Sequence, residues 1–150
     1  MSVLTEGFPT KVTFTSDQLT SGVVTMEVME EKEVTPPGIS GGGANDTTTM
    51  RNTRMRTRHP KKLVTLTAMT LTVAYEPSVY DEIMAMVNDN QAITVTFSND
   101  TTLLFWGWVD SFIPDSIVEG SQPLATIVLE PSNMDADNDN AEILPVYSAA

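Results

Sequence analysis

The chain has 150 residues and a mass of 16.3 kDa, the size of one domain with a moderate core. Its 20 Asp and Glu outweigh 8 Lys and Arg, for a net charge of -12, and six of the eight basic residues lie between Arg51 and Lys62. The other 138 residues hold 2 basic and 20 acidic side chains, which excludes a nucleic-acid binder with a broad basic face.

Cysteine is absent, so a disulfide scaffold, a thiol nucleophile and a cysteine metal site are excluded. The single histidine, His59, rules out a His-rich metal centre and argues against a Ser-His-Asp triad. The start of the chain lacks the basic and apolar pattern of a secretion signal. No run approaches the length of apolar residues that a membrane helix needs, so no membrane insertion is expected.

Threonine leads the polar residues, 21 of 150, and often alternates with Val, Leu, Ile or Phe. β-Branched side chains favour extended backbone and pack across a pleated face, so the chain reads as mostly β. Residues 1–10 form a candidate N-terminal arm. From Lys11 to Thr15 the pattern alternates, with Val12 and Phe14 on one face. After Gly22, residues 23–30 alternate again, Val24, Met26 and Val28 opposing Val23, Thr25 and Glu27. Glu30, Glu31 and Glu33 crowd the end of that strand, where like charges favour solvent.

Pro36, Pro37, Gly38 and the run Gly41 to Gly43 exclude both a helix and a central strand. Little apolar material appears from 34 to 62, a connection of about 30 residues. Two readings stand for it: a mobile surface loop, or an assembly loop that orders on a partner subunit. In the second, the glycine half adapts and the arginine half donates to carboxylates.

Residues 63–75 form the longest β segment. Val64, Leu66 and Ala68 define one face, then Met69, Leu71, Val73 and Tyr75 define the other. The switch at 67–69 requires either a bulge or a strand packed on both sides. A helix follows over 79–87, with Ser78 and Asp81 at capping-box-like spacing. Val79, Ile83, Met86 and Val87 recur at helical spacing, and Tyr80 and Met84 widen the stripe. Asn88, Asp89 and Asn90 stop it.

Residues 91–97 alternate, with Ile93, Val95 and Phe97 inward and Thr94 and Thr96 outward. Ser98 to Thr101 make a tight turn into a strand over 102–110. One face of that strand holds Leu103, Phe105, Gly107 and Val109, and the other Leu104, Trp106 and Trp108. Both faces are apolar. The tryptophans are either buried under the helix or shared with another subunit. Gly107 between them marks a close backbone approach or a bulge. The chain bends at Pro114, Ile117 and Val118 extend a strand, and 124–130 form the last clear strand. Beyond the polar stretch 133–140, Ile143, Leu144, Val146 and Tyr147 are apolar again, which reads as a docking C-terminal arm.

The search for site chemistry is empty. Gly41 to Gly43 lack a phosphate-loop context. Asp135, Asp137 and Asp139 alternate faintly like a calcium loop, but its sixth position is Asn140 and its twelfth Val146. Glu30, Glu31 and Glu33 have no histidine partner in sequence. No cofactor, metal or enzymatic activity is expected.

The order helix, Ile93-Thr94-Val95-Thr96-Phe97-Ser98-Asn99-Asp100, then Phe105-Trp106-Gly107-Trp108-Val109, then the strand at 124–131 resembles the major tail tube proteins of long-tailed, lambda-like bacteriophages. The lone helix and the long polar insert match in position. The resemblance implies a β-sandwich or partial barrel flanked by one α-helix, as a single domain with an N-terminal arm 1–10, a loop 34–62 and a C-terminal arm 133–150. It implies six subunits closing into a ring, with rings stacked into a tube. The tube would house a tape-measure protein and pass double-stranded DNA without specific binding. Tail-tip or baseplate proteins and a tail terminator would be further partners, in a virion tail assembled in the host cytoplasm. Another ring-forming tail component, a terminator or completion protein, is the alternative. On this resemblance Arg51, Arg54, Arg56, Arg58, Lys61 and Lys62 join rings. Trp106, Trp108, Tyr75 and Met84 are candidates for subunit packing, and Glu27, Thr94 and Thr96 for the channel wall.

Overall fold

The computed structural model describes residues 10–15, 24–25, 31–75, 77 and 80–149. The expected arm at 1–9, the residue Glu27, the cap Ser78 and most of the strand expected over 23–30 lie outside them. The chain divides into two compact units, Pro37–Thr67 and the remainder.

The larger unit is built on one sheet whose strands are β1 (Lys11–Phe14), β2 (Val24–Thr25), β3 (Glu31–Thr35), β8 (Met69–Ala74), β9 (Gln91–Thr96), β10 (Thr102–Pro114), β11 (Leu124–Pro131) and β14 (Val146–Ser148). Their order is β2-β1-β9-β10-β11-β8-β3, with β14 paired to β10. All these neighbours are antiparallel. The fold is mostly β with one helix, and the sheet curls into a half-barrel. The partial barrel expected from the sequence is therefore the form adopted, made from one continuous sheet.

The core follows the alternation. Val12, Val95 and Leu103 form one cross-strand row, and Phe14, Ile93 and Phe105 the next. Val109, Leu129 and Met69 form a third, and Phe112, Ile127, Leu71 and Val34 a fourth. Val12, Phe14, Ile93, Val95, Phe105, Leu71 and Leu129 are fully buried. Each such side chain contributes about 1.5–3 kcal/mol by leaving water. The opposite face carries threonine in rows, Thr35 with Thr70 and Glu33 with Thr72 and Thr126.

β10 is the spine of the sheet and runs four residues further than its expected end at 110. The extension depends on a bulge at Asp110, where the register against β11 shifts between Val109 and Ser111. Before the bulge, odd positions face the core; after it, Phe112 does. An unbulged strand would have turned Phe112 outward.

The helix α1 (Tyr80–Met86) places Ile83 and Met86 in the core and leaves Tyr80 and Met84 exposed. It ends where Asn88 adopts a left-handed φ of 63° and donates its N–H to the Val109 carbonyl at 3.1 Å. Asp100 takes the same conformation in the β9–β10 turn, where the Thr101 hydroxyl donates to the Asn99 side-chain oxygen Oδ1 at 2.6 Å.

Four expectations change. The strand predicted over 63–75 is broken: β7 (Thr65–Leu66) and β8 belong to different sheets, and the face switch at 67–69 is the gap between them. The acidic run containing Glu31 and Glu33 is not a strand end, because β3 pairs with β8. Phe97 leaves the strand and is only half-buried. Ile117 and Val118 extend no strand and are exposed in the β10–β11 connection.

The smaller unit, which contains most of the loop expected over 34–62, carries four short strands. β4 (Ile39–Ser40) pairs with β7, and β5 (Ala44–Asp46) pairs with β6 (Arg58–Pro60), both antiparallel. Together they make a long hairpin. Its opening is tied by the Thr67 N–H on the Gly38 carbonyl at 2.8 Å and the Gly38 N–H on the Thr67 hydroxyl at 2.7 Å.

Candidate assembly surfaces

The hairpin Pro37–Thr67 holds six basic side chains and one acidic, Asp46, a net charge of +5. The other 119 residues hold 2 basic and 19 acidic, a net charge of -17. The chain thus divides its charge between its two structural units.

Hydrogen bonds fix the end of the hairpin. The Thr47 N–H donates to the Thr57 carbonyl at 2.9 Å, and the Thr57 N–H to the Thr48 hydroxyl at 3.0 Å. The Asn52 side-chain oxygen Oδ1 accepts from the Thr49 N–H at 3.0 Å, and the Asn52 side-chain Nδ2 donates to the Met55 carbonyl at 2.9 Å. Threonine and asparagine suit such turns because their short side chains bond nearby backbone. Glycine contributes at Gly42 and Gly43, where φ is 77° and 92°.

Arg56 pairs with Asp46 at 3.3 Å. The Asp46 carboxyl is held below its ordinary range, first by the Thr48 side chain, then by the Thr48 backbone N–H, and also by Arg56. Arg51, Arg54, Arg58, Lys61 and Lys62 are exposed and have no ion-pair partner among the described residues. Apolar side chains stand beside them in solvent: Met50 at 104% exposure, Leu63 at 83% and Met55 at 77%. Met50 and Met55 stand in the stretch 34–62, whose composition is mostly polar, while Leu63 falls at the start of the segment expected as a strand over 63–75. Leu63 and Val64, directly after the basic run, were the available signal for exposed apolar side chains beside it.

The tryptophans separate. Trp106 is buried at 9% exposure, and its carbonyl accepts from the Ser132 N–H at 2.8 Å. Trp108 is half-buried. Tyr75 is half-buried with its ring 6.1 Å from that of Phe112, and Tyr80 lies 6.2 Å from the same ring. Met84 is exposed on the outer side of α1. Thr94 and Thr96 are half-buried and lie on the face of β9 opposite Ile93 and Val95. Among the described residues no acidic or histidine cluster with metal-binding geometry occurs, and His59 sits exposed in β6 opposite Asn45.

The C-terminal segment completes the sheet. After β11, the Ser132 and Asn133 N–H groups both reach the Trp106 carbonyl. The chain then detours through β12 (Met134–Asp135), a 3-10 turn at Ala136–Asn138 and β13 (Ala141–Glu142). The Ile143 N–H returns to the Asn133 carbonyl at 3.0 Å, and β14 resumes the ladder on Thr102 to Leu104. β11 and β14 therefore lie along the same edge of β10, separated by the detour.

No protein-family model and no curated protein matches the chain. One chain in a cryo-EM structure of the anti-feeding prophage baseplate, six-fold symmetrised, matches with a TM-score of 0.67 at 10% identity. The alignment covers 99% of this chain and 98% of that one. The fold is that of a prophage baseplate chain. The agreement, over nearly the whole of both chains at that identity, is one of fold.

Proposed function

We propose that the protein is a structural subunit of a phage-type tail, closing as six copies into rings that stack into a tube. The observation that carries this reading is the end-to-end fold match to a chain of a six-fold symmetrised prophage baseplate. The division of charge supports it. A body with a net charge of -17 repels phosphate, so double-stranded DNA traverses such a channel without being held. Thr94 and Thr96 fit a channel wall. The hairpin, with five unpaired cations and exposed Met50, Met55 and Leu63, fits an inter-ring contact. Six-fold closure pairs sheet edges that otherwise invite open-ended association. In this reading the tape-measure protein, a tail terminator and tail-tip proteins are partners, and assembly occurs in the host cytoplasm. No part of the reading needs catalysis or a cofactor.

Electron microscopy of the purified chain over a range of salt tests it. Six-fold rings or stacked tubes are expected. A uniformly monomeric sample, with no copy in tail particles, would overturn it. The baseplate origin of the structural neighbour favours a second reading, a component forming a single ring near one end of the tail. Copy number per particle separates the two: many sixes for a tube, one or two for an end ring.

A further inference from the structure

The pairing of β14 is slight for a strand that completes the sheet. It matches β10 at three positions, Thr102 with Ser148, Leu103 with Tyr147 and Leu104 with Val146. All three β14 side chains are exposed. Tyr147 stands in the same cross-strand row as Leu103, Val95 and buried Val12, yet it is 63% exposed. A core-facing aromatic at that exposure has most of its apolar surface still in water. Leu144, two residues before the strand, is 68% exposed. Pro145 between them supplies no N–H to anchor the approach.

We propose that β14 is an exchangeable strand. In the free subunit it covers the edge of β10 at Thr102 to Leu104, and on assembly it makes the same three-position ladder on β10 of a second copy. The occupant is a second copy because the register, the edge and the side-chain row are all already defined by this chain. Exchange of an identical element requires no new interface chemistry. The detour at 134–142 supplies the reach once its short ladder, Met134 with Glu142 and Asp135 with Ala141, and the Ile143 to Asn133 hydrogen bond open. While covered, the edge cannot pair at random. Once exchanged, Tyr147 and Leu144 meet a surface from another subunit.

This inference rests on the proposed self-assembly. The chain has no cysteine, so a disulfide pair reports one contact without background. The double variant Leu103→Cys with Tyr147→Cys, and separately Leu104→Cys with Val146→Cys, covers both kinds of ladder position. Oxidised as a monomer, the better-placed pair locks β14 onto its own chain. The expected result is a roughly tenfold fall in sedimentable assemblies, restored by reductant. Mixing the single variants L103C and Y147C, assembling and then oxidising should give covalent heterodimers on a non-reducing gel. If wild type assembles, the locked variant assembles equally well and the mixture gives no heterodimer, strand exchange is overturned while the tube reading stands. If wild type itself never assembles, both fall together.

Discussion

Gly107 lies directly across the β10–β11 ladder from Pro131, and a Cβ built on Gly107 would stand 3.1 Å from the Pro131 Cα and collide with the Glu130 carbonyl oxygen. The glycine between the tryptophans is therefore a site of close backbone approach. Replacing Gly107 with alanine forces the two strands apart. We expect a loss of about 1–3 kcal/mol in urea unfolding, with a larger loss for Gly107→Val. Unchanged midpoints would show that β11 shifts without strain.

The bulge at Asp110 sets which residues face the core beyond it. Deleting Asp110 removes only the unmatched residue and keeps Ser111 opposite Val128 and Phe112 opposite Ile127, whereas inserting an alanine between Ser111 and Phe112 turns Phe112 outward and leaves the alanine facing Ile127. The insertion breaks a core row at its aromatic end, where Tyr75 and Tyr80 meet Phe112. It should cost more than the deletion, by about 2 kcal/mol or more in thermal or urea unfolding. Equal stability of the two variants would show that the side on which Phe112 lies does not matter.

Trp106 and Trp108 should behave differently. Trp106 is buried within the chain, so Trp106→Ala should destabilise the monomer by about 3–5 kcal/mol. Trp108 is half-buried, so Trp108→Ala should leave a folded monomer and reduce assembly. Circular dichroism with sedimentation reads both. Equal damage to the monomer would place both rings in the core.

The hairpin arginines give a prediction about association and not about folding. Arg51 and Arg54 are exposed and unpaired among the described residues. Replacing both with glutamate should leave the unfolding midpoint unchanged, stop ring stacking and remove its salt dependence. Tubes of normal length from that variant would rule out a role for these two charges.

Asp46 gives a pH prediction. Its folded carboxyl is lowered from 3.8, chiefly by the Thr48 side chain and backbone and then by Arg56. A lowered folded value means the hairpin is favoured above the unfolded carboxyl range and loses that support as pH falls through the folded value. The Asp46 carboxyl carbon, followed by NMR, should titrate below 3.8, and Thr48→Ala should move it back toward 3.8. No change on Thr48→Ala would assign the shift elsewhere.

The sequence made the central strands legible and the edges obscure. Val12 with Phe14, Ile93 with Val95, and the strand at 124–131 show their period because each has a buried and a half-buried face. β3 carried too little of that contrast, since Glu31, Lys32 and Glu33 precede Val34 and a register shift falls among them. The bulge at Asp110 exists only relative to β11, so a single strand read by itself cannot display it. The hairpin strands β4 to β7 are two or three residues long, too short for any period. Charge, by contrast, needs no register: the cluster at 51–62 marked the hairpin as distinct before any strand in it was visible.

The interruption between β11 and β14 makes the subunit open to engineering. Residues 134–142 leave and rejoin the same edge of β10, and Asp139 and Asn140 turn there with φ of 53° and 57°. A peptide inserted between them lengthens a detour that already exists, and doubling such a loop costs only about 0.6 kcal/mol in closure entropy. The sheet order on either side is unaffected. That turn is where a reporter tag or a displayed epitope would be carried once per subunit, repeated with the symmetry of whatever assembly the chain forms.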